Sequence, residues 1–173
     1  MWDMGLVMYQ IGDQVVYGVH GVCRITDETV RLMDKKKIRF YVLEPLDQTG
    51  AIFYVPAENP VALAKLHPLM TREKWKELLS GGTILNGTWI GDMNQRKQCY
   101  RELIGSGDRV AMMQMLHWLY QYKQLQQSQG KRIHLCDENF LKDARKLLDG
   151  ELSLVLGLGQ NEVEPYVLQA LKQ

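Results

Sequence analysis

The sequence is short of cysteine and of long apolar runs, and each shortage excludes classes of protein. Its 173 residues include three cysteines, Cys23, Cys99 and Cys136, an odd number at wide spacing that fits neither a disulfide framework nor a zinc site. No apolar run approaches the roughly 20 residues that cross a bilayer. The first residues also lack the basic start and long apolar centre of a secretory signal. The pattern predicts a cytoplasmic protein with no membrane partner.

Net charge is also small. Lys and Arg number 21 against 20 Asp and Glu, which gives a formal charge of +1, so the chain as a whole has no general attraction for nucleic acid. With 46% hydrophobic and 24% charged residues, the composition is that of a folded globular protein and not of a disordered one. Any partner must therefore be inferred from local patterns.

Patterns that carry catalysis or hold a metal are scarce. The four histidines never lie at i, i+4 to one another, and no nucleophile elbow or paired carboxylates are recognisable. Residues 105–108, Gly-Ser-Gly-Asp, resemble a phosphate-binding loop only superficially, because they follow a helical pattern. We interpret them as a helix stop followed by a helix cap. We expect a protein that is not an enzyme and that holds neither a metal nor a cofactor.

The first third of the chain has the periodicity of β-strands. Short β-branched and aromatic runs are bounded by Gly, Asp or Lys clusters, and alternation is clear from Ile38 to Leu43. The predicted strands are residues 14–17, 21–26, 38–45 and 51–55, with hairpin loops at 34–37 and 47–50 and a further extended stretch at 61–66. A small SH3-like or Tudor-like antiparallel β-barrel is the expected architecture, because it leaves few exposed edges.

After Pro68 the spacing becomes helical. Thr71 is expected to cap a short helix, residues 81–88 read as a loop, and helices are predicted at 94–104, around 112–119, from Asp137 as N-cap, and from about Asn161. The sequence thus predicts an α+β multidomain protein. Its domains are a barrel at residues 8–68, a linker with a short helix at 69–88, and a compact bundle of four or five helices at 89–173.

Trp89 is the most informative single residue outside the barrel. It follows a glycine-rich loop and precedes Arg96 and Lys97, so it could serve as an aromatic wedge between base steps while the basic residues neutralise phosphates. Lys131 and Arg132 could also contact phosphate. The alternatives stay open: Trp89 could pack between linker and bundle, and the Lys-Arg pair could belong to a solvated loop.

Two motifs resemble a known family. Residues 12–21 are similar to the "GD-x-VVY-x-x-HG" opening of CarD/CdnL transcription regulators, and residues 55–59 are similar to the "VP-x-EN" that closes the strands of their barrel. Residues 130–137, 144–148 and 151–157 resemble the C-terminal helices of that family. The resemblance covers nearly the whole chain from about Met8, and residues 1–7 look like an extension.

The resemblance implies binding to the β subunit of RNA polymerase through the barrel, which is related to a module of transcription-repair coupling factors. Arg31 matches a basic polymerase-contacting position, and Tyr54 stands where the family has a second, arginine contact. The resemblance further implies that the helices reach promoter DNA near the upstream edge of the transcription bubble, weakly and without sequence specificity. The wedge tryptophan of the family aligns with Met93, so Trp89 lies four residues earlier.

Function is therefore expected in transcription regulation, through the stability of the open promoter complex. Arg31 and Tyr54 are the predicted polymerase-binding residues, and Trp89, Arg96, Lys97, Lys131 and Arg132 the predicted DNA-binding residues. The alternative is an adaptor whose barrel binds a segment of another protein, by strand addition at an exposed edge, without DNA contact. The sequence leaves open which promoters are regulated and in which direction.

Overall fold

The computed structural model describes residues 8–171, so the predicted extension at residues 1–7 lies outside the described residues. An antiparallel sheet comes first and helices follow. The strands are β1 Gln14–Tyr17, β2 Val22–Met33, β3 Lys36–Pro45, β4 Phe53–Pro56 and β5 Leu66–Pro68. The helices are α1 Pro60–Leu63, α2 Arg72–Ser80, α3 Met93–Leu103, α4 Arg109–Ser128, α5 Leu135–Leu156 and α6 Gln160–Leu171, with short 3-10 turns at Gly18–His20 and Thr83–Asn86.

The sheet is open. Its five strands have the order β4-β3-β2-β1-β5 and pair antiparallel throughout. Within the described residues β4 and β5 are edges that do not pair with each other. The predicted antiparallel sheet is confirmed, whereas closure into an SH3-like or Tudor-like barrel is not observed in the strand pairing.

The long hairpin of β2 and β3 extends further than the sequence pattern indicates. Asp34 and Lys35 have positive φ angles of 48° and 65°, as in a two-residue hairpin turn whose twist matches that of the flanking strands. Met33 pairs directly with Lys36, so the predicted four-residue loop shrinks to two residues. The hairpin end of β2 and β3 therefore projects past the buried core, and its side chains are exposed.

The extended stretch predicted at residues 61–66 is wrong. Asn59 accepts hydrogen bonds at its side-chain oxygen from the backbone amides of Val61 and Ala62, and Pro60 occupies the first turn. An Asn cap followed by Pro favours a helix start over a strand. The chain forms α1 there and becomes extended only at β5.

Helices α2 to α6 pack around one apolar core. Its most deeply buried members are Trp75, Leu79, Ile84, Leu119, Ala144, Leu148, Leu152 and Val163. Because α2 and the following 3-10 turn supply three of these side chains, the segment predicted as a linker is packed into the bundle. The division of the chain at residues 68 and 88 stays a prediction.

Helix starts follow the predicted caps in two cases and depart from them in a third. The Thr71 hydroxyl accepts from the Lys74 amide, and the Asp108 carboxylate accepts from the Ala111 amide. The prediction that Asp137 caps a helix is wrong: α5 begins at Leu135, with His134 as its N-cap, and Asp137 is fully buried inside the first turn.

None of the described helices combines the length and apolar character needed to cross a membrane.

A paired charge network joins the end of the sheet to the bundle. Arg109 donates to both carboxylate oxygens of Glu151 at 2.9 Å and to the carbonyl of Pro68 at 2.8 Å. Glu151 also accepts from the amide of Met70 at 2.7 Å. With Glu151 only 2% exposed, this network ties β5 to the first turn of α4 and to α5.

We expect Gly107→Ala to lower the free energy of unfolding by about 2 to 4 kcal/mol. Gly107 has a φ of +74°, and an added Cβ would overlap the imidazole of His67 on β5. Gly130 is the matched control, because its φ is +70° but nothing lies within 4 Å of an added Cβ. Gly130→Ala should therefore cost only the backbone strain, about 1 kcal/mol. Urea unfolding of both variants checks this, and equal losses would contradict the proposed fit of His67 against Gly107.

Candidate interaction surfaces

Arg31 and Tyr54 lie side by side on the outer face of the sheet. Arg31 pairs with Ile38 and Tyr54 with Val42, and directly opposed residues share a face. The guanidinium carbon of Arg31 is 4.2 Å from the centre of the Tyr54 ring, and Tyr54 is 42% exposed. Such a cation–π contact contributes about 0.5 to 1 kcal/mol at an exposed site. It orients the guanidinium while leaving its N–H edge open.

The surroundings of this pair are basic and apolar. Among the described residues Arg31 makes no ion pair, and three exposed lysines, Lys35, Lys36 and Lys37, lie at the nearby hairpin end. Ile38, which pairs with Arg31, also lines a shallow depression of about 610 Å³. Its other lining residues are the apolar Met33, Phe40, Pro56 and Pro60 and the polar Lys37, Glu58 and Asn59. A partner with carboxylates and a small apolar side chain fits this surface.

Trp89 occupies a second candidate surface, on the bundle. It is half-buried, with its ring 4.8 Å from that of Tyr122 on α4 and at an interplanar angle of 32°. The guanidinium of Arg96 lies 4.8 Å from the centre of the Trp89 ring and 5.3 Å from that of Tyr122. The indole is thus held in the bundle by an aromatic and a cationic neighbour.

Arg96 itself is bound along its edge. Its Nε and Nη2 donate to the two oxygens of Asp137 at 3.0 Å each, and the Tyr100 hydroxyl donates to the same carboxylate at 2.6 Å. Burial by itself raises the pKa of Asp137, but the hydrogen bonds from Arg96 and Tyr100 outweigh it and lower that pKa. Burial and the bond to Asp137 raise the pKa of the Tyr100 phenol. The cluster is a closed, fully paired ionic network.

Residues 9–67 match the family model described as CarD-like/TRCF RID domain. The match covers about a third of the chain and supports a CarD-like RNA polymerase-interacting domain in this segment. It contains Arg31 and Tyr54, and it ends within β5, at the network that joins the sheet to the helices. A search of the curated proteins finds no match to the chain. The match indicates a non-catalytic interaction domain, and within the described residues no three His, Cys, Asp or Glu side chains are grouped to hold a metal.

The predicted DNA contact of Arg96, outside the CarD-like domain, needs correction. The residue is 2% exposed, and its donors are taken up by Asp137 and by the carbonyls of Ile90 and Gly91. A phosphate cannot reach a guanidinium that is buried and bonded in this way. The short spacing to Trp89 indicated a basic surface, but the sequence had no signal for a carboxylate 41 residues away.

The remaining predicted basic residues are accessible. Lys97, Lys131 and Arg132 are all exposed. Because Arg96 and Asp137 lie in the first turns of α3 and α5, their ion pair brings the starts of these helices together. Lys97 on α3 and the loop of Lys131 and Arg132 before α5 therefore flank one region, although their roles stay predictions.

Two apolar side chains at the same helix starts were not singled out as contacts by the sequence. Met93, the first residue of α3, is 38% exposed, and Leu135, the first residue of α5, is 75% exposed. Met93 is also the position where the family resemblance places the wedge. Proteins that kink DNA from the minor groove insert apolar side chains of this kind between base steps.

Proposed function

We propose that this protein binds the β subunit of RNA polymerase through the outer face of its CarD-like domain and modulates the stability of the open promoter complex. The observation that carries the proposal is the Arg31–Tyr54 pair, which lies exposed within the segment matched to the polymerase-interacting family. Its N–H edge is available to a carboxylate of the partner, and charge-assisted hydrogen bonds of this kind are the strong ones at interfaces.

The helical part is proposed to contact promoter DNA near the upstream edge of the bubble. Trp89, Lys97, Lys131 and Arg132 are the proposed contacts, grouped around the starts of α3 and α5. Three basic side chains bind DNA only weakly by themselves. Delivery by polymerase raises their effective concentration, so weak contacts are sufficient. The formal charge of +1 fits this division of labour.

A second function is favoured by the open edge of the sheet. Strand β4 is an edge that carries Tyr54, and a segment of another protein could add to it as a further strand. In that alternative the protein is an adaptor without DNA contact. Co-purification of polymerase with the protein supports the polymerase-binding function. Purification of the protein without polymerase supports the adaptor.

The test is the lifetime of the open promoter complex formed by purified polymerase, with and without the intact protein. We expect the protein to lengthen this lifetime. Trp89→Ala should remove most of that gain and leave a lifetime roughly fivefold shorter than with the unmodified protein, because an aromatic–base contact contributes about 1 kcal/mol or more. Polymerase binding should be unchanged. Leu168→Ala is the control, since Leu168 is 52% exposed on α6. A lifetime with Trp89→Ala equal to that of the unmodified protein would remove Trp89 from the DNA contact.

A further inference from the structure

Arg96 connects three separate parts of the bundle. Along its edge it binds Asp137 at the start of α5, and its Nη1 donates to the carbonyls of Ile90 at 3.2 Å and Gly91 at 2.9 Å. Beside it lie the rings of Trp89 and of the α4 residue Tyr122, which pack against each other, with centres 4.8 Å apart, as well as against the guanidinium. One buried side chain thus holds the irregular segment before α3 against two long helices.

The segment needs such a partner. Residues 87–92 form neither helix nor strand. The Gly87 carbonyl accepts from the Trp118 indole and the Asp92 carbonyl from the Arg96 amide, but the carbonyls between them have no regular ladder to join, and backbone polar groups near a core must find other partners. The Arg96 guanidinium supplies them at the two residues that directly follow Trp89. Without it, the segment would still be held at Gly87 and Asp92, but not at the two residues that directly follow the indole.

We propose that Arg96 is a positioning residue that fixes Trp89 against Tyr122 of α4 and, through Asp137, ties it to the start of α5, so that the indole and the basic loop of Lys131 and Arg132 form one rigid DNA-facing surface. This inference rests on the proposed function. Asp137 orients the guanidinium, and the guanidinium in turn orients Trp89 and residues 90 and 91. Contacts held in advance in this way bind without the entropy cost of ordering them.

Lysine cannot replace this arrangement. An ammonium is a compact charge without the planar fork that binds a carboxylate with two bonds and packs against aromatic rings. Arg96→Lys therefore keeps the charge next to Asp137 but gives up the stacking and most of the carbonyl bonds. Tyr122→Leu is a second, milder variant, because it removes one of the two aromatic rings beside the guanidinium and leaves the ion pair intact.

The experiment follows Trp89 by 19F NMR in the full-length protein labelled with 5-fluorotryptophan. We expect Arg96→Lys to shift the Trp89 resonance towards that of the free amino acid, and Tyr122→Leu to shift it the same way. The resonance of Trp75, which is fully buried, should stay in place as internal evidence of folding. Arg101→Lys, an exposed change on the same helix, is the matched control.

The functional arm measures open-complex lifetime and polymerase affinity for the same variants. Arg96→Lys should lose the same part of the lifetime gain as Trp89→Ala, the double variant should lose no more, and affinity for polymerase should be unchanged. An unshifted Trp89 resonance in both Arg96→Lys and Tyr122→Leu, or additive losses in the double variant, would overturn the positioning role. If Trp89→Ala alone leaves the lifetime unchanged, the DNA part of the proposed function fails instead.

Discussion

Arg31→Glu is expected to weaken the complex with RNA polymerase by roughly 30-fold, or about 2 kcal/mol. Arg31 is exposed on the outer sheet face and held over the Tyr54 ring, and it has no carboxylate partner within the described part of the chain. It therefore presents an unneutralised charge to a partner. Glu at this position would repel the carboxylates that we propose on the β subunit, and it would also lose the cation–π contact.

The affinity is measured by titrating labelled full-length protein with polymerase core enzyme at two salt concentrations. Lys65→Glu is the matched control, because Lys65 is exposed in the same CarD-like domain and lies beside β5, at the opposite edge of the sheet from β4. It introduces the same change in net charge, so a general electrostatic effect would weaken both variants equally. Unchanged affinity of Arg31→Glu would remove this residue from the interface.

Asp137→Asn is expected to lower the free energy of unfolding by about 3 to 5 kcal/mol. Asp137 is fully buried and accepts from Arg96 and Tyr100. An asparagine would leave the buried guanidinium without a counter-charge, and its amide nitrogen would face a hydrogen-bond donor. Asp143→Asn is the control on the same helix, because Asp143 is exposed, and it should change stability by less than about 0.5 kcal/mol.

The same carboxylate gives a pH dependence of defined sign. The pKa of Asp137 is lowered in the folded state by the bonds from Arg96 and Tyr100, against the opposing effect of burial. A lowered pKa means that the contribution is complete above the unfolded value of 3.8 and is lost as pH falls through the folded pKa. Denaturant unfolding from pH 7 to pH 2.5 should show a steeper acid loss for the unmodified protein than for Asp137→Asn. If the free energy of unfolding falls with pH equally in both proteins, the carboxylate of Asp137 is not the source of the acid loss.

Local signals were sufficient where one residue decides the local structure. The Thr71 and Asp108 side chains cap helices as their sequence context indicates, since a cap needs only a short oxygen-bearing side chain a few residues from the amides it binds. The predicted cap at Asp137 was wrong, because its carboxylate binds the buried Arg96 on another helix and α5 begins two residues earlier. Residues 61–66 failed for a local reason, the Asn59–Pro60 start of α1.

The sequence by itself determined the change from strands to helices near Pro68 and the CarD-like character of residues 9–67, because alternation, turn residues and motifs are properties of neighbouring positions. Only the tertiary structure decided that Arg31 meets Tyr54, that Arg96 faces inward, and that the sheet stays open. These features depend on residues distant along the chain and on how strands and helices pack, which periodicity does not encode.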